Sequence, residues 1–273
     1  MTLELTVPSY EAQGFDKLRW AAADTATITW RNIIAMKRVP QVLVFSTIQP
    51  IIFVLMFRYV FGGAISPGAQ FKNVPYVDFL MPGIFMQTIT FGGMSTGVGL
   101  AEDVTKGLIE RFRSLPMARS AVLAGRTFAD VTRNIFVFVL MLLVGFAVDF
   151  RIHTNVLSLF GALLVMLFFA FSFSWIFALL GLTTRNAEAA QAAAFPLVAP
   201  LVFASSAFVP LSSQPGWLQV FSAHQPFTIT VNAVRALCIG GATLTPVLQS
   251  LAWSLAIIAF FAPIAVRKYR QAA

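Results

Sequence analysis

The run NIFVFVLMLLVGFAV, residues 134–148, decides the class of fold. After Asn134 every side chain is apolar or absent, and nothing alternates. A membrane β-strand would show one polar residue for every lipid-facing one. A segment apolar on all sides is instead a helix buried in lipid or protein, with its backbone hydrogen bonds closed within itself. Extended to its natural limits, the run becomes a span over about residues 130–149. The same reading finds five more, over about 42–62, 79–100, 156–181, 190–210 and 247–266. Each is near the ~20 residues needed to cross ~30 Å of hydrocarbon.

Composition agrees with this pattern. Of 273 residues, 58% are hydrophobic, 28 are Phe and only 11% are charged, with a mean hydropathy of +0.79. Too little charge is present to cover a soluble domain of this length, so the expected fold is an all-α polytopic membrane protein with six transmembrane helices. The start MTLELTVPSYEAQGFDKLRW has no basic segment leading into an apolar core, so no cleaved signal peptide is expected. One cysteine, Cys238, rules out an intramolecular disulfide and a cysteine-based metal cluster. The two histidines, His153 and His224, fall on different loops and make no metal pair.

The net charge of +8 is explained by its distribution. With six spans, Lys17, Arg19, Arg31, Lys37, Arg38, Lys106, Arg111, Arg113, Arg119, Arg126, Arg185, Arg267, Lys268 and Arg270 share one side of the membrane. The other side keeps Lys72, Arg151 and Arg235, with Arg58 snorkelling from the end of the first span. Basic residues accumulate on the cytoplasmic side, so both termini are expected there. Dense basic patches of a nucleic-acid binder are missing, and no nucleic-acid partner is expected.

Two segments do not span. Residues 15–38 align Trp20, Ala23, Thr27, Trp30 and Ile34 on one helical face. This suits an amphipathic helix lying at the membrane surface among headgroups, ended by Pro40. Residues 211–240 are broken by Pro215, Pro226, His224 and Arg235 into pieces too short to cross. A pair of short re-entrant helices is expected there, dipping into the outer leaflet before the last span.

Chemistry is sparse. GGMSTGVG at 92–99 lacks the Lys-Ser or Lys-Thr of a phosphate-binding loop; Gly93 and Gly97 give a small-xxx-small spacing for close helix packing. No nucleophile sits in a G-x-S-x-G turn. Arg126, Asp130 and Arg133 stand at i, i+4 and i+7, a spacing that allows them to pair, and Glu188 lies near Arg185. Phe53, Met56, Phe85, Met86, Phe169 and Phe171 supply apolar bulk that lines a substrate path or faces lipid.

One stretch stands out: EDVTKGLIERFRSLPMARS, residues 102–120, the most charged run in the chain. On a helix Val104, Leu108, Phe112 and Leu115 form an apolar stripe, and Pro116 disfavours helix at Leu115. A short helix over 102–115 follows. Its residues suit either a solvated loop or a docking helix gripped by a cytoplasmic partner's groove.

Three blocks carry a resemblance: YVDFLMPGIFMQ at 76–87, LAEDVTKGLIERFRSLPMARSAVLAGR at 100–126, and FVPLSSQPGWLQVFSAHQPFTITVNAVRAL at 208–237. The chain resembles the ABC-2 type permeases, most closely the daunorubicin-resistance (DrrB-like) exporters of antibiotics or lipids. The resemblance implies the membrane subunit of an ATP-driven exporter for an amphipathic drug or lipid, not itself an enzyme. It implies an elbow helix, a coupling helix after span two, and re-entrant helices marked by Pro210, Pro215, Trp217, Pro226 and Arg235. Coupling to the ATPase would centre on Glu102, Asp103, Gly107, Glu110, Arg111, Arg113 and Pro116. The implied partners are two copies of a cytoplasmic ATPase subunit carrying ATP-Mg, a second permease half (homo- or heterodimer) and membrane lipids, in a bacterial inner membrane. No cofactor is expected on this chain. Export of a polysaccharide or lipo-oligosaccharide is the alternative within the family; a gradient-driven carrier is the alternative outside it.

Overall fold

The structure, a computed structural model, describes residues 15–38, 40–65, 74–107, 119–184 and 186–271. Among these residues it is helical throughout, with no strand. The helices are α1 (Phe15–Arg38), α2 (Pro40–Leu55), α3 (Tyr76–Thr105), α4 (Arg119–Ala147), α5 (Val156–Thr183), α6 (Ala187–Phe203), α7 (Gly216–His224), α8 (Pro226–Ile239) and α9 (Leu244–Gln271). By length and composition, Thr127–Ala147, Val156–Thr183 and Leu244–Tyr269 are able to cross a membrane; Thr47–Phe61, Ala187–Phe203 and Pro226–Ile239 are shorter apolar helices.

Local chemistry sets the boundaries. α1 ends at Arg38 and α2 opens on Pro40, a residue well suited to a helix's first turn, where its missing N–H costs nothing. Asn155 and Asn186 cap α5 and α6, their side chains accepting from the N–H groups of Ser158 (2.7 Å) and Ala189 (2.8 Å). α2 ends in a π-helical turn, Met56–Phe61. The wide turn leaves no room beyond it: a Cβ on Gly62 would lie 2.1 Å from the Arg58 carbonyl oxygen.

α3 is the axis of the bundle. Every residue from Tyr76 to Thr90 is buried, because α4, α5, α6 and α8 all pack on it. Against α5 the approach is backbone to backbone. A Cβ on Gly97 would meet the Phe177 carbonyl oxygen at 2.6 Å, and one on Gly181 would meet that of Gly97 at 2.2 Å. The small-residue spacing of Gly93 and Gly97 therefore serves packing; Gly93 faces the Phe177 ring.

α1 lies along the start of α4. Ile28 is its buried face, pressed on Gly125, whose added Cβ would come within 2.6 Å of Ile28 and 3.0 Å of the Thr25 carbonyl oxygen. Thr29 Oγ1 donates to the Gly125 carbonyl at 3.1 Å. Of the aligned residues, Trp20, Ala23, Thr27 and Trp30 are exposed and Ile34 is half-buried. The exposed four point away from α4, leaving both indoles free of the bundle.

One boundary differs from expectation. The helix expected to reach residue 210 stops at Phe203. Pro196 and Pro200 lie within α6, and Ala204–Pro210 runs on as turns. α7 and α8 then occupy the segment expected to be re-entrant. The fourteen residues of α8 amount to about 21 Å of helix, short of a hydrocarbon core of ~30 Å.

Because a side chain at Gly181 has only backbone to meet, Gly181→Val is expected to destabilise the fold by about 3 kcal/mol or more. A fall in the thermal midpoint of detergent-purified protein measures it. Gly216→Ala, where an added Cβ has nothing within 4 Å, should leave the midpoint unchanged or slightly higher.

Candidate functional site

Two ends of the bundle carry polar structure, and one polar joint lies between them. At the first end the break after α6 is the central feature. Four carbonyls of Ala204–Pro210, those of Ala204, Ser205, Ser206 and Phe208, have left the helical ladder and need donors, because a buried carbonyl without a partner is costly. Side chains supply them. Gln225 Nε2 donates to the carbonyls of Leu201 and Ala204, both at 2.7 Å. Ser222 Oγ also donates to Ala204 O (2.9 Å), and Gln214 Nε2 to Ser205 O (2.9 Å). Tyr76 Oη donates to Phe208 O at 2.8 Å.

Arg235 completes the set. It is 2% exposed, the bulkiest fully buried side chain. Its guanidinium donates from Nη2 to Ser206 O (2.6 Å), from Nε to Phe79 O (3.0 Å) and from Nη1 to Asn232 Oδ1 (2.9 Å). It also lies 3.8 Å from the centroid of the Phe79 ring, a cation–π contact. Arg235 thus ties α8, α3 and the break into one block. Sequence reasoning placed it among the basic residues of an outer loop; the structure places it in the core. Gly83 lets α3 approach, since a Cβ there would lie 2.3 Å from Ala207 O.

The other marker residues of this region are peripheral. Pro210 precedes a single 3-10 turn, Leu211–Ser213; Pro215 precedes α7 and Pro226 is the first residue of α8, where its missing N–H costs nothing. Trp217 is exposed. Asp78, singled out by no sequence argument, is 1% exposed. It accepts from Arg151 N (2.8 Å) and meets His153 Nε2 at 2.7 Å, clasping the α4–α5 connection to α3. His153 N in turn donates to Cys238 O. Arg58 pairs with Asp149 at 3.6 Å.

Of the six residues expected to line a substrate path or face lipid, four separate into two pairs, while Phe169 is buried and Phe171 half-buried on α5. Phe53 belongs to an aromatic cluster with Phe57 (6.0 Å between centroids), Phe203 (6.4 Å) and Phe208 (6.1 Å), so it borders the break. Met56 opens the π-turn beside it. Phe85 and Met86 are fully buried in α3, with Phe85 edge-on to Phe138 and Phe150.

At the opposite end α3 gives way to the charged connection. Glu102 and Asp103 form its last turn, so α3 and the start of the expected 102–115 helix are one continuous element that ends at Thr105, and the helix expected to run on to residue 115 is interrupted there. Lys106 Nζ donates to Glu102 at 2.9 Å, and that bond and charge raise the Lys106 pKa above its ordinary value. Gly107 turns the chain at φ +66°, a left-handed position that favours glycine after a helix. Glu110, Arg111, Arg113 and Pro116 lie outside the described residues.

Between the ends, α3 and α4 share a polar joint. Asp130 accepts from Thr96 Oγ1. Arg133 donates from Nη1 to Ser95 Oγ and from Nη2 to the Gly92 carbonyl at 2.5 Å, and reaches Asp130 at 3.7 Å. Both charged side chains are largely buried. The i, i+3 pairing of Asp130 and Arg133 was legible in the sequence, whereas their bonds to α3 were not; the Arg126 side chain lies outside the described residues. Among the described residues no three His, Cys, Asp or Glu side chains gather as a metal site.

Two measurements test the first end. Arg235→Met strands buried carbonyls and is expected to cost about 3 kcal/mol or more, read as loss of monodisperse protein and a lowered thermal midpoint. Trp217→Ala should stay within about 0.5 kcal/mol. Asp78→Asn weakens only the His153 bond and should cost about 1 kcal/mol on the same scale.

Comparison with known proteins fits this architecture. The family model for the ABC-2 type transporter matches residues 23–239. The chain is 36% identical over 253 residues to the daunorubicin resistance ABC transporter permease protein DrrB1 of Streptomyces coeruleorubidus, covering 92% of this chain and 88% of that protein. It is 30% identical over 228 residues to the doxorubicin resistance ABC transporter permease protein DrrB of Mycobacterium tuberculosis, covering 78% and 77%. A multi-pass helical chain with this match along most of its length belongs to the ABC-2 type transporter family of membrane permeases.

Proposed function

We propose that this permease is the membrane subunit of an ATP-driven exporter that moves an amphipathic, drug-like or lipid molecule out of the cytoplasm or inner leaflet. The observation that carries the reading is the similarity over 92% of the chain to a permease named for daunorubicin resistance. On this reading the chain crosses the bacterial cell membrane six times with both termini cytoplasmic. α2 with its π-turn, α3, α4, α5, α6 and α9 are the six crossings, α1 lies at the inner surface, and α7 and α8 fold back within the outer leaflet.

ATP-Mg would bind a separate cytoplasmic ATPase subunit, two copies to a pair of permease halves. The charged connection is the natural contact for it. Glu102, Asp103 and Gly107 end α3 just where such a partner would sit, with Glu110, Arg111, Arg113 and Pro116 following in sequence. Beyond the turn at Gly107, mixed charge around Leu108, Phe112 and Leu115, apolar at i, i+4 and i+7, suits docking into a partner's groove. Closure of the ATPases would then push on α3 and α4 together, and the aromatic cluster around Phe53 would meet a flat apolar substrate at the far end.

Inverted membrane vesicles holding the chain and its ATPase should accumulate doxorubicin only when ATP is supplied. Uptake of a long-chain lipid or glycan in place of doxorubicin would move the substrate class, and uptake driven by a proton gradient without ATP would overturn the reading. Replacing Glu110 and Arg111 together by Gln and Ala should lower ATP-dependent uptake about tenfold or more while the chain still folds and inserts. Unchanged ATPase pull-down together with unchanged efflux would remove the connection from the mechanism.

A further inference from the structure

We infer that Arg133 and Asp130 are positioning residues for coupling: they lock the inner third of α3 to α4, so that a push on the connection between these helices moves both as one body. The inference rests on the exporter reading above and names the residues through which its stroke would pass.

α3 is intrinsically weak where the joint sits. Gly92, Gly93, Gly97 and Gly99 fall within eight residues, and each glycine in a helix interior weakens it relative to alanine. Ser95 Oγ bonds back to the Gly92 carbonyl at 2.8 Å, a contact that bends helices. Left alone, this stretch would flex and absorb a push applied at Thr105. The joint stiffens it from outside. Arg133 binds the Gly92 carbonyl and Ser95 Oγ, and Asp130 takes the Thr96 hydroxyl. Three anchor points within five residues of α3 are thus held by one turn of α4.

The surroundings make the lock directional. Below it, Gly97 rests on the backbone of α5 at Phe177 and Gly181, which provides a flat bearing. Beyond the joint on α4, Gly125 is seated on α1. The two helices flanking residues 106–118 are therefore joined to each other by charge-assisted hydrogen bonds. Their outward neighbours touch them through glycine. A buried ion pair adds little net stability by itself, whereas registry between two moving elements is a role such pairs are known to serve.

The test uses the full chain reconstituted with its ATPase in vesicles, comparing wild type with Arg133→Gln and Asp130→Asn. Expected is an about tenfold loss of ATP-dependent doxorubicin uptake with ATP hydrolysis and ATPase pull-down retained within about twofold. Uptake and hydrolysis falling in parallel would mean a structural role alone and overturn the inference, as would unchanged uptake. A second measurement stands apart from transport: amide hydrogen exchange over residues 92–101 should quicken about tenfold in Arg133→Gln, with residues 79–90 unchanged. Unaltered exchange overturns the lock. Absence of ATP-dependent uptake in wild type, with exchange quickened in the variant, would refute the exporter reading while leaving the lock standing.

Discussion

A helix that stops inside a packed bundle leaves buried carbonyls in need of donors, and that constraint organises this protein. α6 ends at Phe203, and the next seven residues wind through the bundle without a ladder of their own. Each exposed peptide oxygen would cost several kcal/mol in hydrocarbon. Gln225, Ser222, Gln214, Tyr76 and Arg235 exist at their positions to remove that cost, each delivering a donor to a specific carbonyl. Three helices are thereby fastened around one break, and α7 and α8 are positioned because they carry the donors.

The same logic explains why α3 tolerates so much polarity. Ser95, its threonines, Gln87 and Asp78 would make a poor lipid-facing helix, and by composition it is not among the apolar spans. Surrounded by α4, α5, α6 and α8, it meets lipid over little of its length. Polar groups there are able to find partners: Asp78 holds the α4–α5 connection, and Ser95 and Thr96 receive Arg133 and Asp130. The lipid-facing work passes to α4, α5 and α9, whose outward residues such as Leu143, Leu164 and Phe260 are exposed and apolar.

How much of this was legible in the sequence depended on whether the signal was periodic or solitary. Long apolar runs located the main helices, and prolines located α7 and α8, because both effects are local to the backbone. The Asn134–Val148 run sufficed to choose helix over barrel. What stayed hidden was pairing at a distance. Arg235 looked like a loop cation because the carbonyls that bind it lie 29 and 156 positions away. Asp78 carried no periodic signal at all; only its isolation in an apolar stretch marked it. The tryptophan face of α1 was read as one stripe, and it is one, but the packing face is the Ile28 side, where Gly125 on another helix admits it. Nothing in a single sequence announces that a glycine ninety-odd residues onward is the socket.

The contact of α3 with α5 has a thermal consequence. Where Gly97 meets Gly181 and Phe177 the touching atoms belong largely to the peptide backbone. Backbone has no rotamers to hop among, so this seam freezes no side-chain entropy on forming and has none to regain on warming. Its spacing is fixed by bond lengths rather than by how side chains happen to nest. Most joints in a protein interior loosen by small rotations of the groups that fill them. This one has no filler, and it keeps its gap the same in a cold membrane as in a warm one.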